Sequence, residues 1–398
     1  MSASPGDWFA ADPSPMTLEG ALERILPRLP VLVGTEAAPL DAARSRILAE
    51  DLVAAIDVPG ADNSAVDGYA LHIEDLDPRG ETRLPVVGRA AAGHPYGTAL
   101  PRGAALRIFT GALMPAGPDT VVMQEDCRRE GDLVVIPPGV KRGSNRRKAG
   151  EDVRAGATAL AAGARLRPQD IGLAAALGRA TLTVAKPLRV ALLSGPEPQT
   201  LDADRLGLRI LLGQLGAAVF DRGALPTDPD ALAAAHDAIV VAGAVPGGAE
   251  DPMAATLGLH AWHLAIEPAS AVAFGELRRD GRALPAIGLP ADPAAAMVAL
   301  LCLARPILLR LMGARDLTPR RYRLRAGFAH TKDLGRRAFL PARLVSGPQS
   351  DLAAVANPAP SGRIAALLAA DGLVDLPEAL TRLEPGSMVD FLPFSEVA

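Results

Sequence analysis

Several short stretches of this 398-residue chain gather side chains that can handle a polar, anionic ligand. Asn63-Ser64-Ala65-Val66-Asp67-Gly68-Tyr69 packs an amide, a hydroxyl and a carboxylate ahead of a glycine. Such a loop can grip a polar ligand or a hydrated metal, and the same residue types also make ordinary turns. Arg107-Ile108-Phe109-Thr110-Gly111-Ala112 puts a hydroxyl at the end of a β-type run, where a threonine capping a turn is the plainer reading. Lys141–Gly150 is a basic loop, five of its ten residues being Lys or Arg, and Glu151-Asp152 follow directly. A solvated turn and an anion-binding loop fit it equally. Gly243-Ala244-Val245-Pro246-Gly247-Gly248 follows an apolar strand, so its backbone N–H groups can face an anion. It matches neither the P-loop nor the GxGxxG pattern. Asp251 then falls near the start of a helix, where an acid is favourable in any case.

These stretches need elements to position them. Thr17–Leu29 reads as a short amphipathic helix capped by Thr17, with Leu18, Ala21, Leu22 and Ile25 on one face. Leu40–Ala54 reads as a second helix. Between Asn63 and Pro137, short β-type runs (Gly68–Ile73, Leu84–Val87, Ala105–Phe109, Thr120–Gln124, Leu133–Ile136) alternate with Gly/Pro turns and predict a β-rich module. From Leu188 onward strands and helices alternate: strands Leu188–Leu193, Ala238–Ala242, Trp262–Ile266 and Ala286–Leu289; helices Leu201–Leu215, Asp228–His236 and Pro293–Leu311. Continuous apolar strands between helices predict a parallel sheet covered on both faces. Ligands in such sheets bind beyond the carboxyl ends of the strands. That singles out the loops Ser194–Pro198, Gly243–Asp251, Glu267–Ala271 and Pro290–Pro293. Asp292 and Pro293 are also a natural helix cap and first helical residue. Past Met312, Arg321–Arg325, Ala338–Leu344, Leu373–Leu376 and Met388–Phe394 read as strands of a small terminal β-module, with a helix at Gly362–Ala370.

Composition limits the function. At about 150 residues per domain the length suggests two to three domains. The chain is 49% hydrophobic and 22% charged, as a globular protein with a real core should be. A net charge of −4 and an aromatic content of 3% argue against a general nucleic-acid binder. Cys127 and Cys302 are too few for a disulfide framework or a cysteine zinc site, and the six histidines form no HExxH-like cluster. His260 and His263 flank Trp262 and read as a structural pair. Met1–Pro15 lacks the basic and apolar regions of a signal peptide. Ala294–Ala304 is too short an apolar run for a membrane span. The expectation is a cytoplasmic protein with no membrane or nucleic-acid partner. Only Lys141, Lys148, Lys186 and Lys332 among the 41 Lys and Arg residues are lysines, so a lysine-dependent site has few candidates.

Three stretches carry a family likeness. Pro59–Tyr69 (PGADNSAVDGY), Arg107–Asp126 (RIFTGALMPAGPDTVVMQED) and Gly143–Asp152 (GSNRRKAGED), in this order, resemble the MoeA family of molybdopterin molybdenumtransferases, which includes the C-terminal domain of gephyrin. Gly156–Gly178 and Gly362–Val389 are weaker and co-linear, so the likeness runs from about Thr17 to Phe394. It implies a multidomain α/β plus β fold: a segmented, elongated N-terminal region (1–52 and 141–177), a β-rich insertion (53–140), a MoaB/Mog-like three-layer α/β domain (178–316) and a C-terminal β-barrel-like domain (317–398). It implies a homodimer whose active site is completed across subunits. The implied reaction inserts molybdenum from molybdate into adenylylated molybdopterin, with Mg²⁺ and release of AMP. Other cofactor-biosynthesis proteins and apo-molybdoenzymes are the implied partners. Asp67, Thr110 and Asp152 match the functional residues of the family's NSAMDGYA-like, TGA and GED motifs, and Asp251 the acid closing its glycine loop. Glu197 and Asp251 are the implied cation ligands. Ser64, Gly243, Gly247, Gly248, Pro290 and Pro293 are the implied substrate contacts.

The departures lie in the α/β domain. STGDE becomes Ser194-Gly195-Pro196-Glu197-Pro198, GGVSVG becomes Gly243–Gly248, and LPGNP becomes Leu289-Pro290-Ala291-Asp292-Pro293. KPGKP aligns with Glu267-Pro268-Ala269-Ser270-Ala271, which has no lysine. A drift from Lys to Arg would have left arginines there. Weaker handling of an anion is expected unless arginines from elsewhere stand in, Arg146 and Arg147 being candidates. A second reading therefore stays open: a divergent member without strong turnover that acts as a scaffold or carrier in cofactor delivery.

Overall fold

Apolar strands need cover on both faces, and the fold supplies it. The computed structural model describes residues 14–194, 203–224, 228–243, 252–279, 281–346, 352–356 and 367–396. It forms two compact units, one of Met1–Glu50, Ala162–Arg167 and Thr181–Ala398, the other of Asp51–Ala161 and Pro168–Ala180.

The first unit is built on a six-stranded sheet in the order Ala218–Gly223, Arg189–Ser194, Ala238–Ala242, Arg282–Leu289, Ala271–Arg279, His260–His263. The first four strands are parallel. Successive side chains leave a strand on opposite faces. Ala191, Leu193, Ile239 and Val241 pack with Leu232 and Leu257 in one core. Val190, Leu192, Val240 and Ile287 pack with Leu208, Leu212 and Val298 in another. Both faces are thus dry, which accounts for the unbroken apolar runs.

The sheet is not purely parallel, contrary to the sequence reading. Ala271–Arg279 is a further strand, antiparallel to Arg282–Leu289 and joined to it through Gly281 at φ 75°. Gly275, Glu276, Arg278 and Arg279 interrupt its apolar pattern and hide it. The single strand expected at Trp262–Ile266 is also divided. His260–His263 stays in this sheet, while Ile266–Glu267 pairs with Arg337 and Ala338 of the terminal sheet.

A second correction concerns Leu40–Ala54, which is not a helix. Only Leu40–Ala42 makes a 3₁₀ turn, Ser45 takes φ 64°, and Leu52–Val53 is a strand. The backbone N–H groups of Ser45, Leu48 and Ala49 donate to Leu166, Ala164 and Thr183 instead of to their own segment. The helix Leu18–Ile25 does form, with the Thr17 hydroxyl accepting from the Gly20 N–H at 3.1 Å. The helical run Pro293–Leu311 is long and apolar enough to cross a membrane, but 89% of it is buried in this fold; it is a core element.

The terminal strands Arg337–Ser346, Leu352–Ala356, Tyr322–Ala326, Met388–Pro393 and Gly372–Leu376 pair in that order, and Gly372–Leu376 pairs back to Arg337–Ser346. The ring closes into a small barrel, which leaves no open edge among these five. Most of the expected Gly362–Ala370 helix lies outside the described residues.

The second unit holds a six-stranded sheet in the order Thr120–Met123, Gly68–Leu71, Ala105–Ile108, Thr82–Ala90, Leu133–Ile136, Arg128–Glu130. Gly68 is required where it stands. A Cβ there would come within 2.0 Å of the Val122 carbonyl oxygen, so only glycine lets these two strands close up directly after Asp67. Cys127 is half-buried and Cys302 buried. Burial pushes their thiols up, to about 11 and about 12, so neither is a ready nucleophile.

Candidate active site

The three family-like stretches are far apart in the chain and converge in the second unit. Asn63–Ser64 pairs antiparallel with Arg146–Arg147. The Ala65 N–H donates to Asn145 O at 2.9 Å, the Asp152 N–H to Val58 O at 3.0 Å, and the Gly111 N–H to Ser64 O at 2.8 Å. The segment around Asp67 is thereby held between the basic loop and the Thr110 turn.

Asp67 Oδ1 accepts two hydrogen bonds from one residue, the Thr110 backbone N–H at 2.8 Å and the Thr110 hydroxyl at 2.8 Å. These bonds, with the Arg107 charge behind them, hold the carboxyl below its ordinary range. Asp67 is therefore an anion at neutral pH, and Oδ2 has no bond in this arrangement among the described residues. A carboxylate with one oxygen fixed and the other open can orient a water or an oxyanion proton.

The Ser64 hydroxyl is turned inward. The residue is buried, its hydroxyl donating to Val66 O at 2.6 Å and accepting from the Val66 N–H, so it braces the turn that carries Asp67. Asp152 sits in the basic loop and accepts from Arg147 Nη2 at 2.7 Å, while Arg147 Nε donates to Glu151 at 2.7 Å. Arg146 is engaged by Asp62, whose other oxygen accepts the Ala149 N–H at 2.7 Å. Burial alone would raise the Asp62 carboxyl; the Ala149 N–H and Arg146 outweigh it and bring it down. Both arginines suggested as stand-ins for the missing lysines thus already hold carboxylates.

In the α/β domain the carboxyl ends of Ala238–Ala242 and Arg282–Leu289 lie side by side. Gly243, at φ 72°, adjoins Ala291, the distance from its ideal Cβ being 3.7 Å. Pro290 lies in the same turn. Asp292 accepts the Ala295 N–H at 2.9 Å, with Pro293 as first helical residue, so this motif caps its helix. Glu197, Gly247, Gly248 and Asp251 lie outside the described residues.

The loop at Glu267 has a partner that no local pattern announces. Glu267 Oε1 accepts from Arg336 Nη1 at 2.8 Å. The carboxylate that the motif likeness sets against a lysine is therefore matched by a guanidinium 69 residues away, which offsets the repulsion expected for an anion. Lys332 lies near the pair, its ammonium donating to the carbonyls of Arg336, Asp333 and Glu378, and burial lowers its pKa. Ala269 stands where the motif has glycine and keeps φ 76°, a conformation that costs a residue with a Cβ about 1–2 kcal/mol. Arg107 also lies beside the Asp67–Thr110 pair; a charged residue between the apolar Leu106 and Ile108 of a β-type run is the sequence signal for it.

Similarity to known proteins follows the same residues. The family model for the MoeA N-terminal region (domain I and II) matches residues 16–178, and that for the MoeA C-terminal region (domain IV) matches 323–394. The chain is 34% identical over 324 residues to a molybdopterin molybdenumtransferase of Haemophilus influenzae, covering 76% of this chain and 79% of that protein. It is 30% identical over 383 residues to molybdopterin molybdenumtransferase 2 of Mycobacterium tuberculosis, covering 88% and 93%. Its fold resembles the crystal structure of a molybdopterin biosynthesis MoeA protein from Pyrococcus horikoshii, with a TM-score of 0.77 at 24% identity over 96% of this chain and 100% of that one. With two family models spanning most of its length and relatives aligned over three quarters or more of it, the chain belongs to the MoeA family.

Proposed function

We propose that the protein acts in molybdenum cofactor biosynthesis as a molybdopterin molybdenumtransferase. It takes adenylylated molybdopterin and molybdate, places molybdenum on the dithiolene and releases AMP. The names of its relatives support the substrate class. The observation that carries the reading is the Asp67–Thr110 pair: an ionised carboxylate, fixed on one oxygen and open on the other, where the three family-like stretches meet.

In this reading Asp67 orients the water or molybdate oxygen whose proton must move, and Thr110 keeps the carboxylate aimed and charged. Gly243 and the Pro290–Pro293 turn, in the first unit, are the proposed pterin contacts. Mg²⁺, supplying charge neutralisation for the phosphates, belongs to the same proposal. Among the described residues no three Asp, Glu, His or Cys side chains converge on one point, and the implied ligands Glu197 and Asp251 are outside them, so no step here runs through the cation. A homodimer, a cytoplasmic location and hand-over to other biosynthetic proteins or apo-molybdoenzymes complete the proposal.

The Glu267–Arg336 pair, where the motif has lysine, favours a second reading: a scaffold or carrier that binds the adenylylated pterin without turning it over. Molybdate-dependent AMP release separates the two. The purified protein should release AMP, and Asp67→Ala should slow release by about a hundredfold or more, the usual worth of a positioned acid–base group. AMP at buffer level from folded protein that still binds the adenylylated pterin would replace the transferase reading with the carrier.

A further inference from the structure

The Asp67–Thr110 contact is only as well placed as the backbone that carries it, and one side chain touches the residue next to each member of the pair. Arg107 stands opposite Tyr69 where Ala105–Ile108 pairs with Gly68–Leu71. Its guanidinium carbon lies 5.1 Å from the centre of the Tyr69 ring and 4.7 Å from that of Phe109. Nη1 donates to Gly68 O at 3.3 Å, and Nη2 donates to Gln124 Oε1. Gln124 in turn donates its backbone N–H to Asp67 O at 3.0 Å and its Nε2 to Glu125 Oε1 at 2.8 Å. Gly68 follows Asp67 and Phe109 precedes Thr110. Arg107 therefore grips the residue next to each member of the pair, and through Gln124 the carbonyl of Asp67 itself. Arg89 lies 4.8 Å from the same Phe109 ring.

We infer that Arg107 is a positioning residue for Asp67 and Thr110, its planar fork and its stacking on Tyr69 and Phe109 fixing the register in which both Thr110 donors meet Asp67. The inference rests on Asp67 being the working carboxylate of the proposed reaction. Arginine is needed for its shape. A lysine would keep the charge and lose both the paired donors and the flat stacking surface.

The test uses the full chain with Arg107→Lys, Arg107→Gln and Gln124→Ala. Two quantities are read: the titration of the Asp67 side-chain carboxyl by carbon-13 NMR, assigned with Asp67→Asn, and the kinetics of AMP release. Both Arg107 variants should move the Asp67 midpoint up toward the ordinary value of about 3.9, and Gln124→Ala should move it the same way by less. The kcat should fall by about tenfold to a hundredfold, the scale on which a displaced group costs rate, with KM changed little. If Arg107→Lys titrates and turns over like the parent, Arg107 acts as a bare charge and the inference is overturned. Unchanged titration in all three variants overturns it too. A shifted midpoint together with no AMP release from the parent protein leaves the positioning role standing and removes the transferase reading.

Discussion

Asp375→Asn takes one charge out of an ion pair that water hardly reaches. Asp375 lies in the buried strand Gly372–Leu376, with its side chain 1% exposed. It accepts from Arg337 Nε at 2.6 Å and Nη2 at 2.8 Å and from Arg321 Nε at 2.9 Å. The bidentate Asp375 contact raises the Arg337 pKa against the opposing effect of its burial. An amide of the same shape keeps one acceptor and turns an NH₂ toward guanidinium donors. Removing one partner of a buried pair costs about 3–5 kcal/mol, because the remaining charge stays behind. An exposed pair is worth about 0.2–1 kcal/mol. Arg337 retains Glu19 as a second partner, and Arg321 is 22% exposed, so the lower end, about 3 kcal/mol, is expected here. Native-state hydrogen exchange at Val374 and Leu376 reads the terminal domain separately from the rest of a multidomain chain. A loss of that size speeds exchange roughly a hundredfold, since each 1.4 kcal/mol is tenfold. The Arg337 N–H also donates to Ala265 O at 2.8 Å, so protection should fall at Ile266 as well, beside the Glu267 loop. Replacing Arg321, Asp375 and Arg337 together by Met, Leu and Met should recover most of the loss, as exchange of whole buried pairs for apolar groups does. A cost under about 1 kcal/mol, or one that disappears in 1 M salt as a screened surface pair would, refutes the buried-pair account.

Two further expectations concern charge. Glu267→Gln frees Arg336 from its partner; one unit pair near 4 Å in water is worth about 1 kcal/mol, so the KM for molybdate should fall about fivefold, and an unchanged or higher KM would show that this loop does not face the anion. His236 is buried, its Nδ1 2.8 Å from Leu232 O and its Nε2 accepting from Arg222 at 3.3 Å. Burial, with Arg222 adding to it, lowers its pKa below 6.5. The unfolded chain then takes up the proton first, so the contribution of His236 to stability is complete above about 6.5 and is lost as pH falls through the lower folded value. Urea midpoints between pH 7.5 and 5 should drop less steeply in His236→Gln than in the parent; equal slopes would remove His236 as the cause.

Much of the molecule was legible in local pattern. The buried strands Arg189–Ser194 and Ala238–Ala242 announce themselves because both faces of a covered sheet must be apolar. Thr17 and Asp292 announce helix starts because a side-chain oxygen satisfies an otherwise free N–H. The family-like stretches around Asp67, Thr110 and Asp152 were readable because their residue types stand in short, fixed order. Leu40–Ala54 misled, since its apolar spacing suits a helix while its N–H groups find Leu166, Ala164 and Thr183. The strand Ala271–Arg279 was hidden because half of its pattern comes from hairpin pairing and not from burial.

By itself the sequence determined which segments are apolar, where several of them start, and which three stretches carry the family likeness. Only the tertiary structure decided that Ser64 turns inward, that Arg146 and Arg147 are already held by acids, that Glu267 is answered by Arg336, and that Arg107 braces Asp67. The reason is physical. Burial and capping are satisfied by any suitable neighbour, so they leave a periodic trace along the chain. A hydrogen bond or ion pair is satisfied by one particular group, and which distant residue supplies it is settled only when the strands that carry both are set side by side.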